Sequence, residues 1–155
     1  MRKSDIAILV VLMLLSAVNS FGSVLSNSTA EQKAFFSRCL ENPSSPCDSP
    51  VDVFFQELMK EVSSDIEREA FMAGLSRDAY LSTDAPFKIT MQALQSEEFK
   101  SLDRADMGIS IVKLGMRYHY IKNARFVAPN FFENETAFRQ LVREVSAEHN
   151  LPFKL

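Results

Sequence analysis

Apolar residues recur along most of the chain at intervals of three and four, the spacing that places them on one face of an α-helix. The longest such stripe is Val51, Phe54, Phe55, Leu58, Met59 and Val62, with Ser49 as a cap and Pro50 at the first helical position. Before it, Ser28-Thr29-Ala30-Glu31 reads as a capping box opening a short helix that ends near Glu41, ahead of Asn42-Pro43. After it, Ser64-Asp65-Ile66-Glu67 is a second such box, predicting a bend or a fresh helix there, with Ile66 and Ala70 continuing the face to a stop at Gly74 and Ser76 and a short turn over Ala79 to Leu81.

The stretch from Thr83 to Leu102 is the most sharply punctuated. Thr83 or Asp84 caps, Pro86 lies in the first turn, and Phe87, Met91 and Leu94 follow at i, i+4 and i+7. Ser96 then caps Glu97-Glu98-Phe99, with two carboxylates where a helix N-terminus favours negative charge. Asp103 to Asp106, ending in Met107-Gly108, reads as a connection. Beyond it Ile111, Leu114, Tyr118 and Ile121 keep a helical period, which fits more positions than a short strand over Ile109 to Val112. Pro129 interrupts, and Phe138, Leu141, Val142 and Val145 form a last stripe that ends before Asn150-Leu151-Pro152. The prediction is an all-α domain of about six amphipathic helices, since no run alternates as a half-buried strand would.

The N-terminus changes what counts as fold. Arg2 and Lys3 precede an apolar run from Ile6 to Leu15, the pattern of a secretory signal peptide cleaved after Ser20. That run is shorter than the roughly 20 residues needed to span a bilayer, so a secreted protein with no membrane anchor is expected. The organisation expected is residues 1–20 as signal, 21–48 as an N-terminal helix and loop, and 49–155 as the main helical domain. Removing Arg2, Lys3 and Asp5 from 17 basic and 20 acidic residues leaves 15 and 19, a net of −4, which argues against a nucleic-acid partner.

Export also bears on the cysteines. Cys39 and Cys47 enclose a turn-rich loop, and an oxidising compartment favours one bridge between them over two buried thiols. In the chain-entropy model such a loop contributes roughly 2–3 kcal/mol. Neither a Cys-x-x-Cys spacing nor neighbouring histidines suggest zinc, and no metal or cofactor is expected. Asn27-Ser28-Thr29 and Asn134-Glu135-Thr136 are N-glycosylation sequons, which place Asn27 and Asn134 at the surface if they are used.

Candidate chemistry is sparse. The two histidines are His119, between two tyrosines, and His149 in a polar tail, so neither builds a triad; no phosphate loop or nucleophile elbow is present. An enzyme is not expected. Lys113, Arg117 and Lys122 with Arg125 share a helical edge, which reads as a solvated face. Thirteen phenylalanines, seven methionines and no tryptophan suit either a plain core or a lining for an acyl chain.

Thr83-Asp84-Ala85-Pro86-Phe87 and above all Leu94-Gln95-Ser96-Glu97-Glu98-Phe99-Lys100-Ser101-Leu102 resemble the insect allergen-related repeat family, which includes the major cockroach allergen, mosquito midgut microvillar proteins and nitrile-specifier proteins. The likeness extends loosely from Val51 onward, with Asn150-Leu151-Pro152-Phe153 at the place of the family's Gly-Leu-Pro-like end; Asn123-Ala124-Arg125-Phe126 stands where a Gly-Leu link is usual. It implies a secreted helical shell carrying a fatty acid or similar lipid in a digestive-tract setting. The lining would come from Phe54, Phe55, Leu58, Val62, Met91, Leu94, Ile111, Tyr118, Phe138, Leu141 and Val145. One repeat unit supplies half a shell, so it would form a homodimer, close over a smaller cavity or fill that cavity with its own side chains. The alternatives are a secreted structural or interaction protein with a solid core, and a nitrile-specifier-like detoxification protein.

Overall fold

Seven helices and no strand make up the described residues of the computed structural model, which are 28–41, 53–124 and 131–151. All-α is the fold class. Cys47, Asn27 and the side chains of Cys39, Phe54, Phe55 and Asn134 lie outside the described part, as does Arg125.

Each helix boundary has a local cause. α1 (Ala30–Glu41) opens on a reciprocal box in which the Gln32 amide donates to Thr29 Oγ1 at 3.2 Å and the Thr29 amide to Gln32 Oε1 at 2.9 Å. The box is therefore one residue later than the Ser28–Glu31 pairing expected from sequence. α2 (Val53–Met72) runs unbroken through Ser63 and Ser64, where a bend was expected. Leu58, Val62, Ile66 and Ala70 form one buried row at four-residue intervals, and burying that row outweighs a local cap at Ser64. α2 ends in a Schellman turn: Gly74 takes φ 68°, its amide donates to Phe71 O and the Leu75 amide to Ala70 O, both at 3.0 Å.

α3 (Arg77–Leu81) replaces the expected turn, capped by Ser76 Oγ, which accepts from the Ala79 amide. In the next stretch Ser96 acts twice. Its hydroxyl donates to Ala93 O at the end of α4 (Ala85–Gln95) and accepts from the Phe99 amide at the start of α5 (Glu97–Lys100). α6 (Arg104–Asn123) begins earlier than expected, because Asp103 Oδ1 accepts from the Asp106 amide and caps it, so Met107 and Gly108 lie inside a helix rather than in a connection. Gly108 is a packing glycine: a Cβ built there would overlap the ring of Phe36 from α1. α7 (Phe131–Glu148) closes with a second Schellman turn, Asn150 at φ 51° and the Leu151 amide donating to Ser146 O at 2.7 Å. Arg104 Nη2 donates to Asn150 O at 2.8 Å and ties that end to the start of α6.

α6 is the axis of the fold, packed by α1, α2, α4 and α5. It is buried nearly all round, with Met107, Ile109, Ile111, Leu114, Tyr118 and Ile121 pointing in several directions, as a central helix must be. Phe36, Leu58 and Ile109 form a small cluster between α1, α2 and α6. The remaining core is one larger cluster that takes in Val62, Phe87, Leu94, Ile111, Tyr118, Phe138 and Val145.

Candidate functional site

The most organised polar arrangement lies inside that core. α6 carries Arg117 toward α2, α3 and α4, and every nitrogen of its guanidinium has an acceptor. Nη1 and Nη2 donate to Glu69 Oε1 and Oε2 at 2.8 and 2.6 Å, Nε donates to Thr90 Oγ1 at 2.8 Å, and Nη2 also reaches Pro86 O at 3.1 Å. Tyr80 donates its hydroxyl to Glu69 Oε2 at 2.7 Å, and Thr90 donates to Pro86 O at 2.8 Å. Arg117 is 2% exposed, Glu69 4%, and Thr90 fully buried. A parallel two-bond fork is the strongest form of carboxylate recognition available to arginine. Burial, followed by the adjacent Glu69 carboxylate, raises the Tyr80 hydroxyl well above the ordinary tyrosine value, so it stays a donor.

A second pair repeats the theme nearer the surface. Lys113 Nζ meets Glu61 Oε2 at 2.6 Å, and Gln32 Nε2 from α1 approaches Glu61 Oε1 at 3.5 Å. The two pairs follow the same order along both helices, so α2 and α6 run in the same sense. The solvated edge expected at Lys113, Arg117 and Lys122 is thus corrected: Lys113 and Arg117 point into the protein, and Lys122 alone of the three lies outside.

Lys122 instead joins a cluster at the end of α6. Glu135 Oε1 accepts from Lys122 Nζ at 2.9 Å and Arg139 Nε at 3.2 Å. The nearby Tyr118 hydroxyl, then the hydrogen bonds from Lys122 and Arg139, hold the Glu135 carboxyl down to about 2. Tyr118 stacks on Phe138 with ring centroids 4.8 Å apart, and Arg139 sits 5.6 Å from the centre of its ring. His119 packs edge-on against Tyr118 at 5.2 Å; partial burial, then Arg139 and Lys122, lowers its pKa.

Grooves open on the surface of the described residues, and two of them bear on the site. One, of about 400 Å³, is lined by Met59, Arg77, Asp78, Leu81, His119, Tyr120, Asn123 and Ala124. The other, about 390 Å³, lies where α2 gives way to α3, beside Phe71 and Leu75. None of the nine stripe residues whose side chains are described borders either groove. Val62, Leu94, Ile111, Tyr118, Phe138 and Val145 are packed on one another in the main cluster, Met91 and Leu141 lean against it half-buried, and Leu58 belongs to the smaller one.

Sequence reasoning did not single out Glu69, Tyr80 or Thr90. A signal for Glu69 exists, since it falls at i+7 from Val62 and i+3 from Ile66 on the buried row of α2. Chemically the Glu69–Arg117 arrangement is closed: its charges are matched, and it has no open face toward solvent. What it can do is tie α2, α3, α4 and α6 together. Among the described residues no group of three or more His, Cys, Asp or Glu is placed to hold a metal, and no helix is long and apolar enough to cross a membrane. Comparison with family models, curated proteins and solved structures finds no match to the chain.

Proposed function

We propose that the chain is a secreted, non-enzymatic interaction protein with a solid helical core, acting through its surface. The observation that carries this reading is the packing of the apolar stripes onto each other around the Glu69–Arg117 pair. A lipid held among those stripes would have to part α6 from α2 and α4, and would set an ion pair with loosened partners against an acyl chain. Charge removed from water without full compensation costs several kcal/mol, which opposes such an opening. Export is supported by the signal-like run from Ile6 to Leu15, and the family resemblance supports this reading through its helical, secreted character alone.

A second reading keeps the lipid and moves it outward. The 400 Å³ groove has an apolar base in Leu81, Met59 and Ala124, with Arg77 and His119 at its polar side, and its size falls in the range of small-ligand sites. It would suit a short apolar carboxylic acid rather than a long acyl chain. Native mass spectrometry and organic extraction of protein secreted from eukaryotic cells separate the two. The solid-core reading expects an unliganded mass and no displacement of a fluorescent fatty acid. Stoichiometric lipid overturns it, and loss of that lipid in Leu81→Glu, with the fold intact, assigns it to the groove.

A further inference from the structure

We propose that α1 is a strap: it closes an apolar groove between α2 and α6, and it opens as one unit while the rest of the helical core stays folded. This goes beyond the solid-core reading and stands without it. The main cluster, which spans Val62 to Leu151, takes in no residue of α1. Gln32 and Phe36 are the buried side chains among those described on α1, and they lie one turn apart on one face. Phe36 packs with Leu58 of α2 and Ile109 of α6, and the half-buried Val112 and Met116 lean on that smaller cluster. Its ring lies over Gly108, where a Cβ would strike Cε1 and Cζ. A position without a side chain on α6 therefore makes the socket, and one aromatic ring from α1 fills it.

The polar ties of α1 are shallow by comparison with those of the core. Lys33 Nζ meets Asp106 Oδ2 at 2.8 Å and Asp103 Oδ2 at 3.8 Å with its side chain 42% exposed, and Gln32 Nε2 stands 3.5 Å from Glu61 Oε1. Solvent-reachable ion pairs contribute little, and 3.5 Å is the outer limit of a hydrogen bond. The enclosed Glu69–Arg117 fork joins α2 to α6, with Tyr80 of α3 and Thr90 of α4 on it, and does not extend to α1. A fold opens first where few apolar contacts and water-accessible polar ones hold an element, and α1 meets both conditions. Opening lays bare Leu58, Ile109, Val112 and Met116 beside Glu61, Asp103 and Asp106, the carboxylates that Gln32 and Lys33 answer when the strap is down.

The test is amide hydrogen exchange across a urea series, read by mass spectrometry on the secreted full-length mature chain. Without urea, the amides of residues 34–41 should be at least about a hundredfold less protected than those of residues 111–118 in the middle of α6. As urea rises, 34–41 should lose protection together, at a concentration where 111–118 keep theirs. Gly108→Ala then separates the two layers. The added methyl displaces the Phe36 ring, so the opening of α1 should become about tenfold or more easier. The urea concentration at which 111–118 lose protection should hold or rise, because α1 is already open there and alanine is the better helix former. Adding Phe36→Leu, which removes Cε1 and Cζ, should offset Gly108→Ala and slow exchange over 34–41 again. Loss of protection in both segments at one urea concentration in the wild type overturns the proposal. So does a Gly108→Ala variant that lowers both transitions or moves neither, and so does a Phe36→Leu change that adds to the effect of Gly108→Ala instead of offsetting it.

Discussion

Glu69 and Phe71 are two residues apart on α2, and each occupies the environment usually given to the other. The carboxylate is 4% exposed and the phenyl ring 85%. Two residues turn a helix through about 200°, so one side chain faces α6 and the other faces away. What reverses the usual allocation is α6. As the central helix it is buried nearly all round at this level, so its Arg117 finds acceptors indoors, and α2 supplies a carboxylate on its buried row. On the outer side of α2 none of the described helices covers Phe71. The comparison teaches that burial here is set by which helix is opposite, and that residue type follows only where the neighbour permits.

The largest effect should come from breaking the inner half of this contrast. Arg117→Met leaves Glu69 buried without its fork and should cost about 3–5 kcal/mol, a large part of the 5–15 kcal/mol typical of a folded domain. Replacing both partners, Glu69→Leu with Arg117→Met, should recover much of that loss, because two matched apolar groups need no compensation. Urea midpoints of the two singles and the double complete the cycle. A single substitution costing under about 1 kcal/mol would mean that water reaches the pair and that Glu69 is not interior in solution.

A smaller loss tests how closely Glu69 is held. Tyr80→Phe removes one of the three donors on that carboxylate and keeps the ring, so it should cost about 1.5–3 kcal/mol, the range for a hydrogen bond to a charged group. The same variant in the Arg117→Met background should show a coupled, non-additive effect, read from the same urea series.

How much of this could be read in advance differs from element to element. Most of the helices were legible, as were the cap at Ser96 and the stops at Gly74 and before Asn150, because period and capping chemistry are local; α3 was not, and Ser76 proved to be its cap rather than part of a stop. Ser64 and Gly108 misled for one shared reason. Ser64 offers a local cap, but the row from Leu58 to Ala70 is held straight against α6. Gly108 looks like a connector, but it is small because Phe36 leans on it from α1. Both outcomes depend on a partner helix distant in sequence. Arg117 was the costliest misreading. Apolar residues at 107, 109, 111, 112, 114, 116 and 118 leave no free face for a cation on that helix, and that observation points inward before any partner is known. Its partner lies 48 positions away, and no local rule identifies it.

Glu135 provides the same chemistry at shallower depth and a gentler way to sharpen the contrast. Its carboxyl, 14% exposed, is held at about 2 in the folded chain against an ordinary value of 4.5. A depressed folded value contributes stability that is fully present above about 4.5 and is lost as the pH falls from there through about 2. The thermal midpoint of Glu135→Gln should therefore sit below wild type at neutral pH, and the two curves should converge as the pH approaches 2. Parallel curves across that window would mean that Lys122 and Arg139 do not engage Glu135 in solution.

The smallest effect belongs to the outer half. Phe71→Ser, measured in dilute solution where any association is absent, should change stability by no more than about 0.5 kcal/mol, as surface substitutions usually do. The ring buries almost nothing, serine and phenylalanine have similar helix propensities, and the residue's part in the Schellman turn is through its carbonyl, which any side chain retains. The value of so small a number lies in the pairing. If Arg117→Met is severe and Phe71→Ser is silent, α2 has a charged residue as structure and an aromatic one as surface. A loss above about 1.5 kcal/mol at Phe71 would instead place its ring against its own chain in solution. That would remove the reversal, because Phe71 would then be packed on its own chain just as Glu69 is.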